Sequence, residues 1–275
     1  MNVAVSRSFQ LYFENPSGAR TNFQVVGSDT GLLLNPVESN QLDISMAERW
    51  EVVYDFSPYK DQNVTLRNNN NIDTVTPYLH TDKVMRFMVG DTVTQPNNGA
   101  GTLPAKLRDV TFPPAHALTE HTFEFQRQGG EWKINGAAWS DGPTERVLAK
   151  PPRGAVEKWH LKNGAGGWTH PIHIHLIDFQ IINRVNGKRP LLPYEKVALK
   201  DVVWLNTNEE VDVVARYAPW DGLYMVSAKH DRSLMGVSNV PKCQRRWWLH
   251  TSPEKPRFPF VKYDEHQHDS EVSLP

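Results

Sequence analysis

The chain has 275 residues, with 30 basic and 31 acidic side chains and a formal net charge of −1, so it lacks the basic excess of a polyanion-binding surface. Its 9 Trp, 8 Tyr and 11 Phe, within a 39% hydrophobic complement, supply one or two ordinary cores and exclude wholesale disorder. The single cysteine, Cys243, excludes an internal disulfide and any cysteine-rich zinc or iron–sulfur site held by this chain alone.

Frequent Pro and Gly between short apolar runs predict strands and turns and exclude a helical bundle. The N-terminal Met1 to Ser8 lacks the apolar stretch of a signal peptide, and no window approaches the length of a membrane span. The expected location is cytoplasmic as written, or secreted if the native start lies upstream, with neither nucleic acid nor membrane as a partner. From residue 8 to about residue 90, turn material such as Asn15-Pro16-Ser17-Gly18 and Asn35-Pro36 separates apolar runs, which reads as an antiparallel sandwich occupying residues 1–90. Asn63-Val64-Thr65 fits a glycosylation acceptor and reads more simply as a polar turn.

Residues 91–114 have linker composition, poor in large apolar side chains and rich in Pro, Gly and Asn. A second strand-rich region, residues 115–241, begins near His121-Thr122-Phe123-Glu124-Phe125 and passes a hairpin-like Gln128-Gly129-Gly130-Glu131-Trp132. Period-two alternation in Val156 to Leu161 and Val211 to Ala215 predicts strands with one buried face. Residues 242–275 lose this pattern and read as a loosely held tail, in which His266 and His268 are solvated.

The densest chemical signal is Trp168-Thr169-His170-Pro171-Ile172-His173-Ile174-His175. On a strand, His173 and His175 project to one face about 7 Å apart, close enough to serve one metal ion or two neighbouring ones. Pro171 redirects the backbone, so His170 can address a different site. Neutral imidazole suits copper, zinc, iron or nickel, and residue type alone does not choose among them. His80, His116, His121, His160 and His250 are isolated and read as surface or hydrogen-bonded histidines.

THPIHIHLIDFQIINR resembles the HPxHxH segment of the multicopper oxidase family, with surroundings nearest to bilirubin oxidases and spore-coat-type laccases. AVSRSFQLYF, QVVGSDTGLL, ERWEVVYDFS, EWKINGAAWSD, KDVVWL and YAPWDGLYM resemble segments of that family in the same order, over roughly residues 2–240. The resemblance implies an all-β fold of Greek-key cupredoxin sandwiches: part of a second cupredoxin domain to about residue 90 and a third from about residue 115. It implies copper as cofactor, oxidation of phenolic or tetrapyrrole-type aromatics, and reduction of dioxygen. By position, His170 corresponds to the imidazole ligand of the mononuclear type 1 copper. His173 and His175 correspond to ligands of the type 2 and type 3 coppers of the trinuclear cluster.

Three departures qualify that expectation. The family draws half the cluster's histidines from a first cupredoxin domain, which this sequence does not contain, so the cluster is not expected to close within one copy. After Gly222-Leu223-Tyr224-Met225, Ser227, Ala228 and Lys229 stand where the family has His-Cys-His, which implies a disabled type 1 site. His230 and Met235 stand nearest the family's later His and Met, after a deletion of about four residues judged from the resemblance. His230 reads either as a substitute metal ligand or as a surface histidine beside Asp231, and Cys243 as a free thiol.

Three functional readings stay open: an oxidase acting on small aromatics; a redox-inactive metal- or ligand-binding module using two or three of His170, His173, His175 and His230; and a subunit whose site is completed by a first-domain partner chain or a second copy. A truncated or mis-spliced oxidase product would account for the absent start, the absent family Cys and the divergent tail together, and a natural, repurposed short protein is the alternative.

Overall fold

The computed structural model describes residues 1–4, 7–70, 72, 80–92, 102–114, 119–142 and 144–217, together with the backbone of two strands at 226–230 and 233–236. In the first half these form β1 (Phe9–Glu14), β2 (Arg20–Thr21), β3 (Phe23–Ser28), β4 (Gly31–Ser39), β5 (Leu42–Ile44), β6 (Glu51–Val53), β7 (Asn63–Asn68) and β8 (Lys83–Met88). The second half contains β9 (Thr119–Gln128), β10 (Glu131–Ile134), β11 (Ala137–Ala138), β12 (Val156–Asn163), β13 (His170–Ile174) and β14 (Phe179–Val185). It continues with a short helix, α1 (Pro193–Lys196), then β15 (Leu199–Lys200), β16 (Val202–Leu205), β17 (Glu210–Arg216), β18 (Val226–His230) and β19 (Ser233–Gly236). The architecture is all-β. Among the described residues no helix is long and apolar enough to cross a membrane.

The first half builds two sheets. One runs β2-β1-β7-β8 with β5 also paired to β1, and the other runs β4-β3-β6. Phe13, Phe23, Val25, Leu33, Leu42, Ile44, Trp50 and Val64 fill the core between them. Asn63, expected in a polar turn, opens β7 instead: Asn63 pairs with Met88, and Val64, fully buried, contributes to that core. A strand that needs Val64 inward turns Asn63 outward by alternation.

The second half builds a seven-stranded sheet, β11-β10-β9-β12-β17-β14-β15, facing a four-stranded one, β16-β13-β18-β19. The alternation in β12 is visible in its burial, with Glu157, Trp159, Leu161 and Asn163 inward. Trp159, Leu161, Phe123, Phe125, Ile172, Ile174, Phe179, Val203, Leu205 and Val213 share one core. The Gly129-Gly130 hairpin is present: both glycines have positive φ, 63° and 83°, as a two-residue primed turn requires, and Gln128 pairs with Glu131.

The two cores are joined by residues that cross between them. Tyr194 and Ala198, from the second half, pack into the first core, where the Tyr194 ring meets Trp50 edge-on at 4.8 Å. The Tyr194 hydroxyl accepts the Asp43 amide at 2.8 Å, and the Ser28 and Thr30 hydroxyls both donate to the Leu199 carbonyl. Two buried charge networks reinforce the junction. Arg184 and Arg189 converge on Glu195, at 3.0 and 2.7 Å, and Arg189 also lies 3.5 Å from Asp43. Burial alone would raise the Glu195 carboxyl, but the two guanidiniums outweigh it and hold the group well below the usual carboxylate range. The Lys200 ammonium, fully buried, pairs with Asp29 at 2.9 Å and Glu48 at 3.0 Å and lies 4.1 Å from the Trp50 ring centroid.

On the outer face of the larger sheet, His160 is held between two carboxylates, Asp212 at Nδ1 (2.7 Å) and Glu120 at Nε2 (3.0 Å). The bond to Glu120 raises its pKa most; partial burial opposes, and the bond to Asp212 adds to the rise, while nearby Lys158 acts against it.

Removing one member of a buried charge cluster strands the others. Lys200→Met is therefore expected to lower the unfolding free energy by about 3–5 kcal/mol in a denaturant titration. Arg67→Gln, which removes half-exposed pairs to Glu14 and Asp82, is expected to cost less than about 1 kcal/mol. Because the folded pKa of His160 is raised, its stabilisation is complete below its unfolded value of about 6.5 and disappears as pH rises through the folded value. The Tm difference between wild type and His160→Gln should thus be larger at about pH 5.5 than at about pH 9; an equal or reversed difference would contradict the assignment of charge to His160.

Candidate metal centre

β13 pairs on both sides, with β16 through His170↔Leu205 to His173↔Val202 and with β18 through Ile172↔Ala228 to Ile174↔Val226. A strand paired on both edges has no freedom to rotate, so its alternation is fixed. Ile172 and Ile174 are fully buried in the core and His170, of the same parity, is 1% exposed. His173 lies on the opposite face and is half-buried. His175 follows the strand end, and its ring centroid stands 4.6 Å from that of His173. The segment therefore brings His173 and His175 together and sends His170 elsewhere.

The His173 ring is oriented by the backbone. Its Nδ1–H donates to the Asp201 carbonyl at 2.7 Å, a carbonyl that also accepts the Ile174 amide at 3.2 Å. With Nδ1 carrying the proton, Nε2 is the lone-pair nitrogen, the arrangement a metal-bound imidazole needs. His175 is biased toward its neutral form: burial lowers its pKa first, the adjacent His173 lowers it further, and Asp201 opposes only in part.

His170 occupies an aromatic enclosure. Trp132 meets it edge-on at 5.0 Å and Phe125 lies tilted at 6.4 Å. Trp132 in turn meets Trp168 at 5.8 Å, and the Arg127 guanidinium lies 5.5 and 5.9 Å from the two indoles. Trp168 is 38% exposed, so aromatic rings run continuously from the surface to His170.

His230 is the last residue of β18, beside β13, and Ser227 is the backbone partner of His173. The side chains of both, with His116, His250, His266, His268 and Cys243, lie outside the described residues. Among the described residues no group of three or more His, Cys, Asp or Glu side chains surrounds one point. The donor set thus fits copper as two imidazoles, His173 and His175, a half-site with coordination positions left for other ligands.

Reading the sequence missed Asp201 and Arg49. The Arg49 guanidinium donates to both Asp201 carboxylate oxygens, at 2.8 and 2.7 Å, although the residues are 152 positions apart. KDVVWL, which contains Asp201, was recognisable only as a family-like segment, and nothing local tied it to a histidine. Trp132 was likewise legible as part of a hairpin and not as the wall against His170.

Residues 111–234 match the family model described as multicopper oxidase. The chain is 50% identical over 252 residues to a bilirubin oxidase of Albifimbria verrucaria, covering 87% of this chain and 43% of that protein. It is 29% identical over 251 residues to a laccase of Bacillus stratosphericus, covering 82% of this chain and 46% of the relative. Among solved structures, a multicopper oxidase of the hyperthermophile Aquifex aeolicus superposes with a TM-score of 0.68 at 23% identity, over 82% of this chain and 49% of that one. The sheets are therefore cupredoxin-like, and the chain spans less than half the length of each of these relatives. Fold, sequence likeness and the histidine strand agree, and the chain belongs to the multicopper oxidase family.

Proposed function

We propose that this chain carries a copper half-site of a multicopper oxidase, formed by His173 and His175, with His170 set apart on the core side of the same strand. The observation that carries the reading is the pair of imidazoles 4.6 Å apart, one with Nδ1 tied to the Asp201 carbonyl and Nε2 left to coordinate. Bound copper supplies one-electron chemistry, accepting electrons from a small aromatic reductant and delivering them to dioxygen. The protein's own part is to orient the His173 ring, to favour the neutral form of His175, and to keep His170 in an apolar, aromatic setting with a continuous ring contact to the surface. An aromatic substrate of phenolic or tetrapyrrole type is the class this surface suits, since Trp168 offers a ring face and Arg127 a charge beside it.

Full oxidase turnover needs more ligands than the described residues bring to His173 and His175. We infer that they come from a first-domain partner chain or a second copy, and that this chain by itself oxidises aromatics weakly. The family's His-Cys-His positions fall, by resemblance, on Ser227, Ala228 and Lys229, none of which is a soft thiolate. The same donor set favours a second reading, a redox-inactive metal-binding module, because two imidazoles hold Cu(II) or Zn(II) without redox cycling.

Metal analysis of the copper-loaded, desalted chain separates these outcomes. At least one copper per chain is expected, lost in the His173→Ala, His175→Ala double variant, with a pale rather than intensely blue solution. Retention of all copper by the double variant, or a folded wild-type chain that binds none, would reject the half-site. Oxygen uptake with a phenolic dye above the level of free copper supports the oxidase reading; its absence from a copper-bound chain, alone and mixed with a first-domain fragment, leaves the redox-inactive module.

A further inference from the structure

The Asp201 carbonyl holds His173, and what holds Asp201 comes from the other half of the chain. Asp201 lies between β15 and β16. Its carboxylate is clamped by both terminal nitrogens of Arg49, at 2.8 and 2.7 Å. Arg49 is itself fixed at three further points: its amide donates to Asp29 Oδ1 at 2.7 Å, and its guanidinium donates to the carbonyls of Asp29 at 2.8 Å and Ala47 at 3.0 Å. Asp29 closes the loop by accepting the amide of Val202, the residue after Asp201, at 3.2 Å. Val202 is the β16 partner of His173.

The peptide whose carbonyl meets His173 is thus gripped on its side chain by Arg49 and on its following amide by Asp29. A two-pronged guanidinium–carboxylate contact fixes orientation as well as distance. The Ile174 amide, at 3.2 Å, also holds the Asp201 carbonyl, and the Arg49 and Asp29 contacts fix the rest of that peptide's orientation along the imidazole edge. Arg49 is only partly buried, with a side-chain exposure of 32%, so its replacement does not open a core.

We propose that Arg49 is a positioning residue for His173: by clamping Asp201 it fixes the carbonyl that selects the Nδ1–H tautomer, and so keeps Nε2 as the nitrogen that binds metal. Residues 29–49 in the first half of the chain thereby govern a ligand on β13 in the second. The consequence for copper rests on the half-site reading above, whereas the tautomer is a property of the metal-free chain and is measurable without it.

The test is a long-range proton–nitrogen correlation spectrum of the full chain labelled with nitrogen-15 histidine, metal-free, at about pH 8, above the ordinary imidazole pKa. The His173 signals are assigned by their loss in His173→Gln. Wild type is expected to show His173 as the Nδ1–H form. Arg49→Gln should shift it to a mixture containing the Nε2–H form and weaken copper binding, read by competition with a chelator, about tenfold. Arg49→Lys should restore part of the effect, and Asp201→Asn, which keeps the carbonyl but weakens the clamp, should reproduce it. Arg67→Gln, which breaks guanidinium contacts on another sheet, should leave the His173 signals unchanged.

An unchanged His173 tautomer in folded Arg49→Gln or Asp201→Asn overturns the proposal, as does an equal change in Arg67→Gln. Should Arg49→Gln fail to fold, Asp201→Asn gives the same reading. A tautomer shift in a chain that never binds copper upholds the positioning role and rejects the half-site instead.

Discussion

Everything proposed for the metal centre depends on β13 being paired on both edges. Hydrogen bonding to β16 on one side and β18 on the other leaves the strand no rotation, so residue parity becomes a choice between core and open face. Ile172 and Ile174 fill the core with Phe125, Leu161 and Phe179, and that apolar demand carries His170 inward with them. The same demand turns His173 to the other face, and His175 joins it there. A one-residue slip would bury His173 and expose the isoleucines, which the packing forbids. Two chemically distinct histidine environments within six residues follow from one strand's pleat.

Orientation within the open face is a separate problem, and charge solves it. The strand places His173, and the Asp201 carbonyl chooses which nitrogen carries the proton. Asp201 is stationed by Arg49 and, through Val202, by Asp29, which also receives the buried Lys200 ammonium. These groups lie at the seam between the two cores. Buried ion networks of this kind contribute little net stability against an apolar alternative, but they allow few geometries. That selectivity suits a seam that must hold a ligand-bearing strand in register with a second sheet.

Local patterns in the chain were readable because their causes are local. Alternation in β12, the Gly129-Gly130 turn and the shared face of His173 and His175 each follow from a few neighbouring residues. Asn63 misled, because its polar side chain is as compatible with an outward strand position as with a turn, and only the buried Val64 beside it decides. His160 was read as a surface or hydrogen-bonded histidine, and it is bonded, yet neither Glu120 nor Asp212 is its sequence neighbour. They meet it because β9 runs parallel to β12 and β17 antiparallel on the other side. Arg49, Asp29 and Asp201 were out of reach for the same reason: contacts spanning 152 positions have no signature in spacing. Family resemblance supplied expectations that spacing could not, copper as the metal and separate roles for the three histidines.

The most direct test of the half-site is a pulsed electron paramagnetic resonance spectrum of the copper-loaded chain, counting the imidazoles coordinated to Cu(II). Two coordinated imidazoles are predicted, falling to one in His173→Gln and in His175→Gln, and unchanged in a folded His170→Gln. A count that ignores His173 and His175, or that falls when His170 is replaced, would contradict the placement of the metal on the open face of β13.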